Sequence, residues 1–148
     1  LPISKEGTII KFISLSNWPK SNILKKKSDA GYFNVSDPIL TITDLIYHQT
    51  KFGGLNRILA NIEELLEEVN LADLESLLKW YPHTSVLQRL GYLIEFIEPE
   101  SNLLKTIYDF LNNGRFYPVL LDINAKNKPG SVDNRWKVDV NIKLESDI

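Results

Sequence analysis

Residues 84–97 constrain the fold of this chain more than any other segment. On a helix, which turns about 100° per residue, six apolar side chains share one broad face: Val86, Leu87, Leu90, Leu93, Ile94 and Ile97. Tyr92 and Phe96, one turn apart, add a second apolar ridge. The strip left between these faces is narrow and consists of Gln88, Gly91 and Glu95. Because a surface helix needs a wide polar side, the pattern predicts a central helix that is covered on most of its circumference.

Helical patterns also fill the sequence on both sides of this segment. Asp37 followed by Pro38 is typical of a helix start, and residues 55–69 form the most regular apolar stripe. Asn70 and Ser101 are predicted N-caps of two helices, and Gly114 follows the last of them. The spacing therefore predicts about five helices within residues 37–113.

Strand-like segments lie at the two ends of the chain. Residues 8–15, 22–28 and 32–35 are predicted strands, with a turn at residues 28–31. Residues 117–121 form another, and residues 136–145 alternate between apolar and polar, which is typical of a strand with one wet face. We therefore predict an α+β fold in a single domain, 1–148, whose central helical layer packs on a sheet made from N-terminal and C-terminal strands.

The composition restricts the protein class. The 148 residues include no cysteine, which excludes disulfides, thiolate catalysis and zinc sites built on cysteine. The lack of cysteine suits a reducing cytosol. No apolar run approaches the roughly 20 residues of a membrane span, and there is no signal-peptide pattern. The sequence also lacks methionine, so we expect it to be part of a longer protein.

No residue pattern predicts a catalytic site, a metal site or a cofactor. Glycine-rich nucleotide-binding motifs are absent, and His48 and His83 lie in separate elements as expected surface or capping residues. An alternative is an enzyme that uses Asp122, Asp133 and Asp139. On a regular strand the last two would lie roughly 20 Å apart, too far to share a metal or a substrate.

Charge is distributed unevenly along the chain. Residues 1–60 hold eight Lys/Arg against four Asp/Glu, a net +4, whereas residues 61–100 hold two against nine, a net −7. The candidate contacts with nucleic acid or a protein partner are Lys25, Lys26, Lys27, Arg57, Arg89 and Arg135. The lysine triplet is explained equally well as edge-strand protection against aggregation.

Two residues of the predicted central helix have specific structural expectations. Gly91 lowers helix stability by about 0.8–1 kcal/mol relative to alanine, so we expect another backbone to approach closely at this position. Arg89 is expected to stack on Tyr92 or to pair with Glu95 or Asp133.

Three sequence blocks together resemble one protein family. They are Val-Leu-Gln-Arg-Leu-Gly-Tyr-Leu-Ile-Glu at 86–95, Asp-Asn-Arg-Trp-Lys-Val-Asp-Val-Asn at 133–141, and Tyr-Phe-Asn-Val-Ser-Asp-Pro at 32–38. In order and spacing, residues 8–147 resemble the C-terminal region of AbiEi-type antitoxins, the abortive-infection family of transcriptional regulators from type IV toxin–antitoxin systems. The corresponding motif residues are Gln88, Arg89, Gly91, Tyr92, Arg135, Trp136 and Asn141.

The resemblance implies a bacterial cytoplasmic protein encoded beside a nucleotidyltransferase toxin. In the family, an N-terminal winged helix-turn-helix binds operator DNA, and the C-terminal region takes part in repression and in neutralising the toxin. The winged helix is not in this sequence, so operator contact is expected mainly through that absent domain, and the oligomeric state stays open. Most motif residues are expected to hold the fold, and only the polar ones to reach a partner.

A third function class is a small-molecule-sensing effector domain of a transcriptional regulator. In this alternative, aromatic side chains line a pocket, and the candidates are Tyr92, Phe96, Tyr108 and Trp136. Core packing uses the same residue types, so the pattern alone does not separate the two interpretations.

Overall fold

The computed structural model describes residues 3–5, 8–10, 19, 21–130 and 132–145. Within them, the helices are α1 (Pro38–Tyr47), α2 (Leu55–Leu66), α3 (Leu71–Leu78), α4 (Thr84–Ile97) and α5 (Leu103–Asn112), with a 3₁₀ turn at Gln49–Phe52. The strands are β1 (Ile3–Lys5), β2 (Thr8–Ile10), β3 (Ile23–Ser28), β4 (Gly31–Ser36), β5 (Val119–Leu120) and β6 (Val138–Asp139). None of the helices in this described part is long and apolar enough to cross a membrane.

Two of the helices, α1 and α3, begin at residues whose side chains bind free backbone amides. The carboxylate of Asp37 accepts a hydrogen bond of 2.9 Å from the Leu40 amide, and Pro38 occupies the first turn of α1. At α3, the side-chain oxygen of Asn70 accepts a bond of 2.9 Å from the Asp73 amide. The predicted N-caps of α1 and α3 are confirmed. At α5 the N-cap residue is Asn102, although the hydroxyl of the predicted cap, Ser101, accepts a bond of 3.2 Å from the Leu103 amide.

Helix α4 lies at the centre of the helical layer, as predicted. It packs against α1, α5 and β6. Nearly all of its middle is buried, including polar positions: Val86, Leu87, Gln88, Arg89, Leu90, Gly91, Leu93 and Ile94. Phe96 is exposed, so the second apolar ridge is only partly covered.

The predicted α+β class is confirmed, and the strands pair locally. β1 pairs with β2, and β3 with β4, each antiparallel, while β5 and β6 pair in parallel. In the described residues, the strands of each end of the chain therefore form their own two-stranded sheets. The predicted turn at residues 28–31 connects β3 and β4; residues 11–15 of the first predicted strand lie outside the described residues.

The long strand predicted for residues 136–145 is wrong, because only Val138–Asp139 is a strand. Lys137 has φ 54°, a left-handed conformation that interrupts an extended chain. Asp139 and Asn141, predicted to face water, are buried instead. Their side chains bind loop backbone, as described below, and this polar bonding replaces the alternation of a regular strand.

Candidate functional site

The polar motif residues of α4 bind the backbone of the C-terminal segments. Gln88 donates through Nε2 to the carbonyl oxygens of Tyr117, at 2.8 Å, and Trp136, at 2.9 Å. These two carbonyls lie beside β5 and β6 respectively, so one buried amide holds both segments against the helix. A buried amide that lost these acceptors would be left unsatisfied, which makes Gln88 an anchor of this region.

Arg89, the next residue of α4, also binds the backbone of a C-terminal segment. Its Nε donates to the Leu120 carbonyl oxygen at 2.8 Å, and the side chain is buried. Burial lowers the pKa of the guanidinium, and the nearby Asp122 carboxylate opposes that effect. The predicted pairing with Glu95 or Asp133, or stacking on Tyr92, is wrong, because Arg89 points into the domain, where the β5 backbone supplies its acceptor.

Gly91 is in contact with the indole ring of Trp136. A Cβ built on Gly91 would lie 2.4 Å from both Cε3 and Cζ3 of that ring, so no side chain fits without movement. The expected close approach is present, but the predicted neighbour was wrong: it is an aromatic ring and not a backbone. Trp136 is fully buried, and its Nε1 donates to the Glu95 carboxylate at 3.2 Å.

Arg135 holds the outer side of this indole. Its guanidinium pairs with Glu95 at 2.8 Å and lies 4.8 Å from the Trp136 ring centroid and 5.5 Å from that of Tyr108. The Glu95 carboxylate therefore binds both the indole and the guanidinium. Arg135 stays partly exposed, and its charge is engaged within the domain.

The aromatic residues proposed for a sensor pocket are separated in this structure. Trp136 is fully buried and contacts Tyr108 edge-on, with ring centroids 5.9 Å apart. Tyr92 and Phe96 line a different, small cavity of about 150 Å³ beside Glu95. In the part of the chain that the structure describes, these four rings do not line a common pocket.

Asn141 organises the loop that follows β5. Its Oδ1 accepts from the Asp122 amide at 2.9 Å, and its Nδ2 donates to the Asp122 carbonyl at 2.9 Å. The same Nδ2 lies within 3.1 Å of the Ala125 carbonyl and 3.3 Å of the Asn127 carbonyl. Asn141 thus replaces the strand pairing that this stretch of backbone lacks.

Of the three aspartates considered for catalysis, two have carboxylates that bind backbone amides. Asp122 accepts from the amides of Leu55, Asn124 and Ala125, at 3.3, 2.7 and 3.2 Å. Asp139 accepts from the Gly130 amide at 3.1 and 3.2 Å, whereas Asp133 is exposed. Within the described ranges, no three His, Cys, Asp or Glu side chains are grouped to hold a metal ion.

The two histidines differ in exposure. His83 is the N-cap residue of α4 without a side-chain capping bond, and its ring stacks on Tyr47 at 4.3 Å. His48 is the C-cap residue of α1, as one of the two expectations had it, but its side chain is buried, and among the described residues its Nε2 has no hydrogen-bond partner. Burial, with smaller effects of Lys51 and His83, lowers the pKa of His48. The sequence missed this burial because His48 follows α1 at its end, where no periodicity reports burial.

The β3–β4 hairpin is the most exposed cationic element among the predicted contacts. Lys25, Lys26 and Lys27 are all exposed. In the hairpin register, Lys26 lies opposite Phe33 and Lys27 opposite Tyr32, so each face carries a lysine beside an aromatic ring. These rings are 48% and 70% exposed, values that leave both available for contact.

Sequence reasoning missed the role of these two aromatic rings, which were assigned only to a strand. The turn at residues 28–31 was the signal available, because it fixes the register that places each ring opposite a lysine. The six predicted contact cations are not brought together. Three lie on the hairpin, Arg57 packs beside Gly53 at the start of α2, Arg89 is buried, and Arg135 is bound to Glu95.

Comparison with known proteins gave one match. A family model described as the AbiEi antitoxin C-terminal domain matches residues 20–96, just over half of the chain. The matched region begins before β3 and ends within α4, so it contains the hairpin and the first four helices. Searches of curated proteins and of solved structures gave no match.

Proposed function

Because the chain belongs to the AbiEi antitoxin family, we propose that it neutralises a cognate nucleotidyltransferase toxin and helps to repress its own operon, without catalysis of its own. The match over residues 20–96 is the observation that carries this proposal. The matched family is described as a C-terminal domain, and this supports assigning operator recognition to a winged helix upstream. We treat the whole chain, residues 1–148, as one regulatory module. We place it in a type IV system of the bacterial cytoplasm.

The β3–β4 hairpin is the surface that we assign to the partner. Its three lysines provide a compact positive charge suited to phosphates or to an acidic protein surface. The exposed rings of Tyr32 and Phe33 add apolar contact area of the kind enriched at protein interfaces. Both strands are edge strands of a two-stranded sheet, so the lysines also discourage unwanted strand pairing.

The polar motif residues serve this proposal indirectly. Gln88 and Asn141 are occupied by backbone groups of the same domain. We therefore assign them to the integrity of the domain, and of the named arginines we keep only Arg57 and Arg135 as secondary contacts at the surface.

The test is a pair of titrations with a matched variant. The chain is titrated with the nucleotidyltransferase encoded beside its gene and, separately, with DNA from upstream of its operon. Replacing Lys25, Lys26 and Lys27 with alanine should abolish most of the affinity, whereas replacing Lys126 and Lys128, two exposed loop lysines, should leave it unchanged. Three neutralised DNA phosphates predict a loss of roughly 40-fold in affinity between 50 and 200 mM salt.

The outcomes separate the partners. Binding to the enzyme alone makes the hairpin a toxin-contact surface, and binding to DNA alone assigns it to repression. Equal affinity for the triple-alanine variant and the unmodified chain would refute the assignment to the hairpin. Absence of binding to either titrant would refute direct neutralisation through this module.

A further inference from the structure

Two open cavities adjoin at the C-terminal end of α5, and apart from Thr84 their lining residues lie outside the region matched by the family. One has a volume of about 510 Å³ and the other about 410 Å³, and both are lined by Gly114 and Arg115. Tyr117 and Lys137 line the first, and Phe110 lines the second. The two cavities share these lining residues and are together called the α5 cleft here, and each volume is in the range of small-ligand sites.

The α5 cleft is positively charged. The charged side chains among its lining residues are Arg115 and Lys137, with no carboxylate. Arg115 is exposed and makes no hydrogen bond or ion pair with another residue of the described part. Lys137 has a fixed position, because its Nζ donates to the Phe116 carbonyl at 3.2 Å and lies 4.4 Å from the centroid of the Phe116 ring. Such an arrangement favours an anion.

The backbone at Lys137 is unusual for a lysine. Its φ of 54° lies in the left-handed region, where glycine or asparagine is favoured. The turn that imposes it is closed by Asn134, whose Oδ1 accepts from the amides of Trp136 and Val138, at 3.2 and 3.1 Å. A left-handed residue with a long cationic side chain that lines a cleft points to a function of that side chain.

The walls of the cleft are rigidly held. Gln88 bonds to the Tyr117 carbonyl, and the Val119 amide donates to the Lys137 carbonyl at 3.0 Å. The rings at the rim are nevertheless open, since Tyr117 is 68% and Phe110 40% exposed. Fixed backbone with exposed rings is a suitable platform for stacking a flat group.

We propose that the α5 cleft binds a nucleotide, with its phosphate on Arg115 and Lys137 and its base stacked on Tyr117. A nucleotide combines the two properties that the cleft selects, an anionic group and a flat ring, within one ligand of matching size. The shared chemistry has two sources, a free mononucleotide and a nucleotide within a single-stranded nucleic acid. An acidic peptide would satisfy the cations but has no general requirement for a stacking platform.

The experiment measures fluorescence anisotropy of a labelled ten-nucleotide oligothymidylate on the full chain, with adenosine monophosphate and inorganic phosphate as competitors. Arg115→Ala and Tyr117→Leu should each weaken probe binding at least fivefold. Lys128→Ala, which removes an exposed lysine outside the cleft, should not. Lys137→Gly separates fold from function, because it relieves the left-handed strain: its melting temperature should hold or rise while probe affinity falls.

The competitors identify the source. If millimolar adenosine monophosphate displaces the probe, a free nucleotide is a sufficient ligand. If probe binding resists this competitor, the ligand is a nucleotide within a single-stranded nucleic acid. The proposal is overturned if the probe does not bind, if Arg115→Ala binds it normally, or if a glutamate-rich peptide displaces it better than the nucleotide. The nucleotide proposal would also be overturned if only the triple-alanine hairpin variant lost probe binding. The toxin titration tests the proposed function independently of this result.

Discussion

Substitution of Gly91 by alanine tests the central packing contact of this domain. The added Cβ would lie 2.4 Å from two carbons of the Trp136 ring, whereas carbon atoms in ordinary contact are about 3.5–4.0 Å apart. The ring has little freedom to retreat, because it is fully buried and its Nε1 is bonded to Glu95. Tyr108 and Arg135 close its other sides. The alanine must therefore displace a packed indole or bend α4.

Two effects of opposite sign determine the magnitude. Alanine stabilises a helix interior by about 0.8–1 kcal/mol relative to glycine. Overpacking a well-packed core destabilises by about 1–3 kcal/mol, and more when nothing can move. Because the approach at Gly91 is more than 1 Å too short, we expect a net loss of about 2 kcal/mol in the free energy of unfolding. For a chain of this length, that loss corresponds to a melting temperature lower by about 4–8 °C.

The assay is thermal and urea unfolding followed by circular dichroism. Gly114→Ala is the matched control, since its Cβ would meet only the Leu111 carbonyl oxygen at 3.9 Å, and it should change stability by less than about 0.5 kcal/mol. In a Trp136→Leu background, Gly91→Ala should lose most of its destabilising effect. A Gly91→Ala protein as stable as the unmodified chain, or more stable, would refute the reasoning.

Two further predictions concern buried polar groups. Asn141→Ala should lower the free energy of unfolding by about 2–3 kcal/mol, because it leaves buried backbone groups of Asp122 unpaired. Urea titration beside Asn124→Ala, a change at an exposed loop asparagine, checks this, and equal stabilities of the two variants would contradict it. Burial raises the pKa of Asp44 to about 6. Between about pH 4 and 6 the folded state therefore keeps a proton on this carboxyl that the unfolded state releases, and the free energy of unfolding falls as the pH rises through this range. Asp44→Asn should therefore raise the free energy of unfolding at pH 7.5 by at most about 3 kcal/mol. This gain should shrink toward zero by pH 4, and urea unfolding measured over a series of pH values would detect it.

The helices of this fold were predictable from local sequence. Apolar residues at helical spacing, with Asp37 and Asn70 as caps, located α1 and α3, because capping and amphipathic burial depend on neighbours in sequence. The hairpin was also predictable, since its turn residues fix the register. The exposure of Tyr32 and Phe33 was not, because it depends on which elements pack over the hairpin, and sequence spacing does not report that.

The sequence by itself determined the α+β class, the covered central helix and the need for a close neighbour at Gly91. Only the tertiary structure decided that this neighbour is Trp136, that Arg89 binds the β5 backbone, and that Asn141 turns inward. The physical reason is the range of the interactions. Periodicity records whether an apolar side chain is buried within its own element, whereas a buried polar side chain is oriented by a backbone group whose position is set by the rest of the fold.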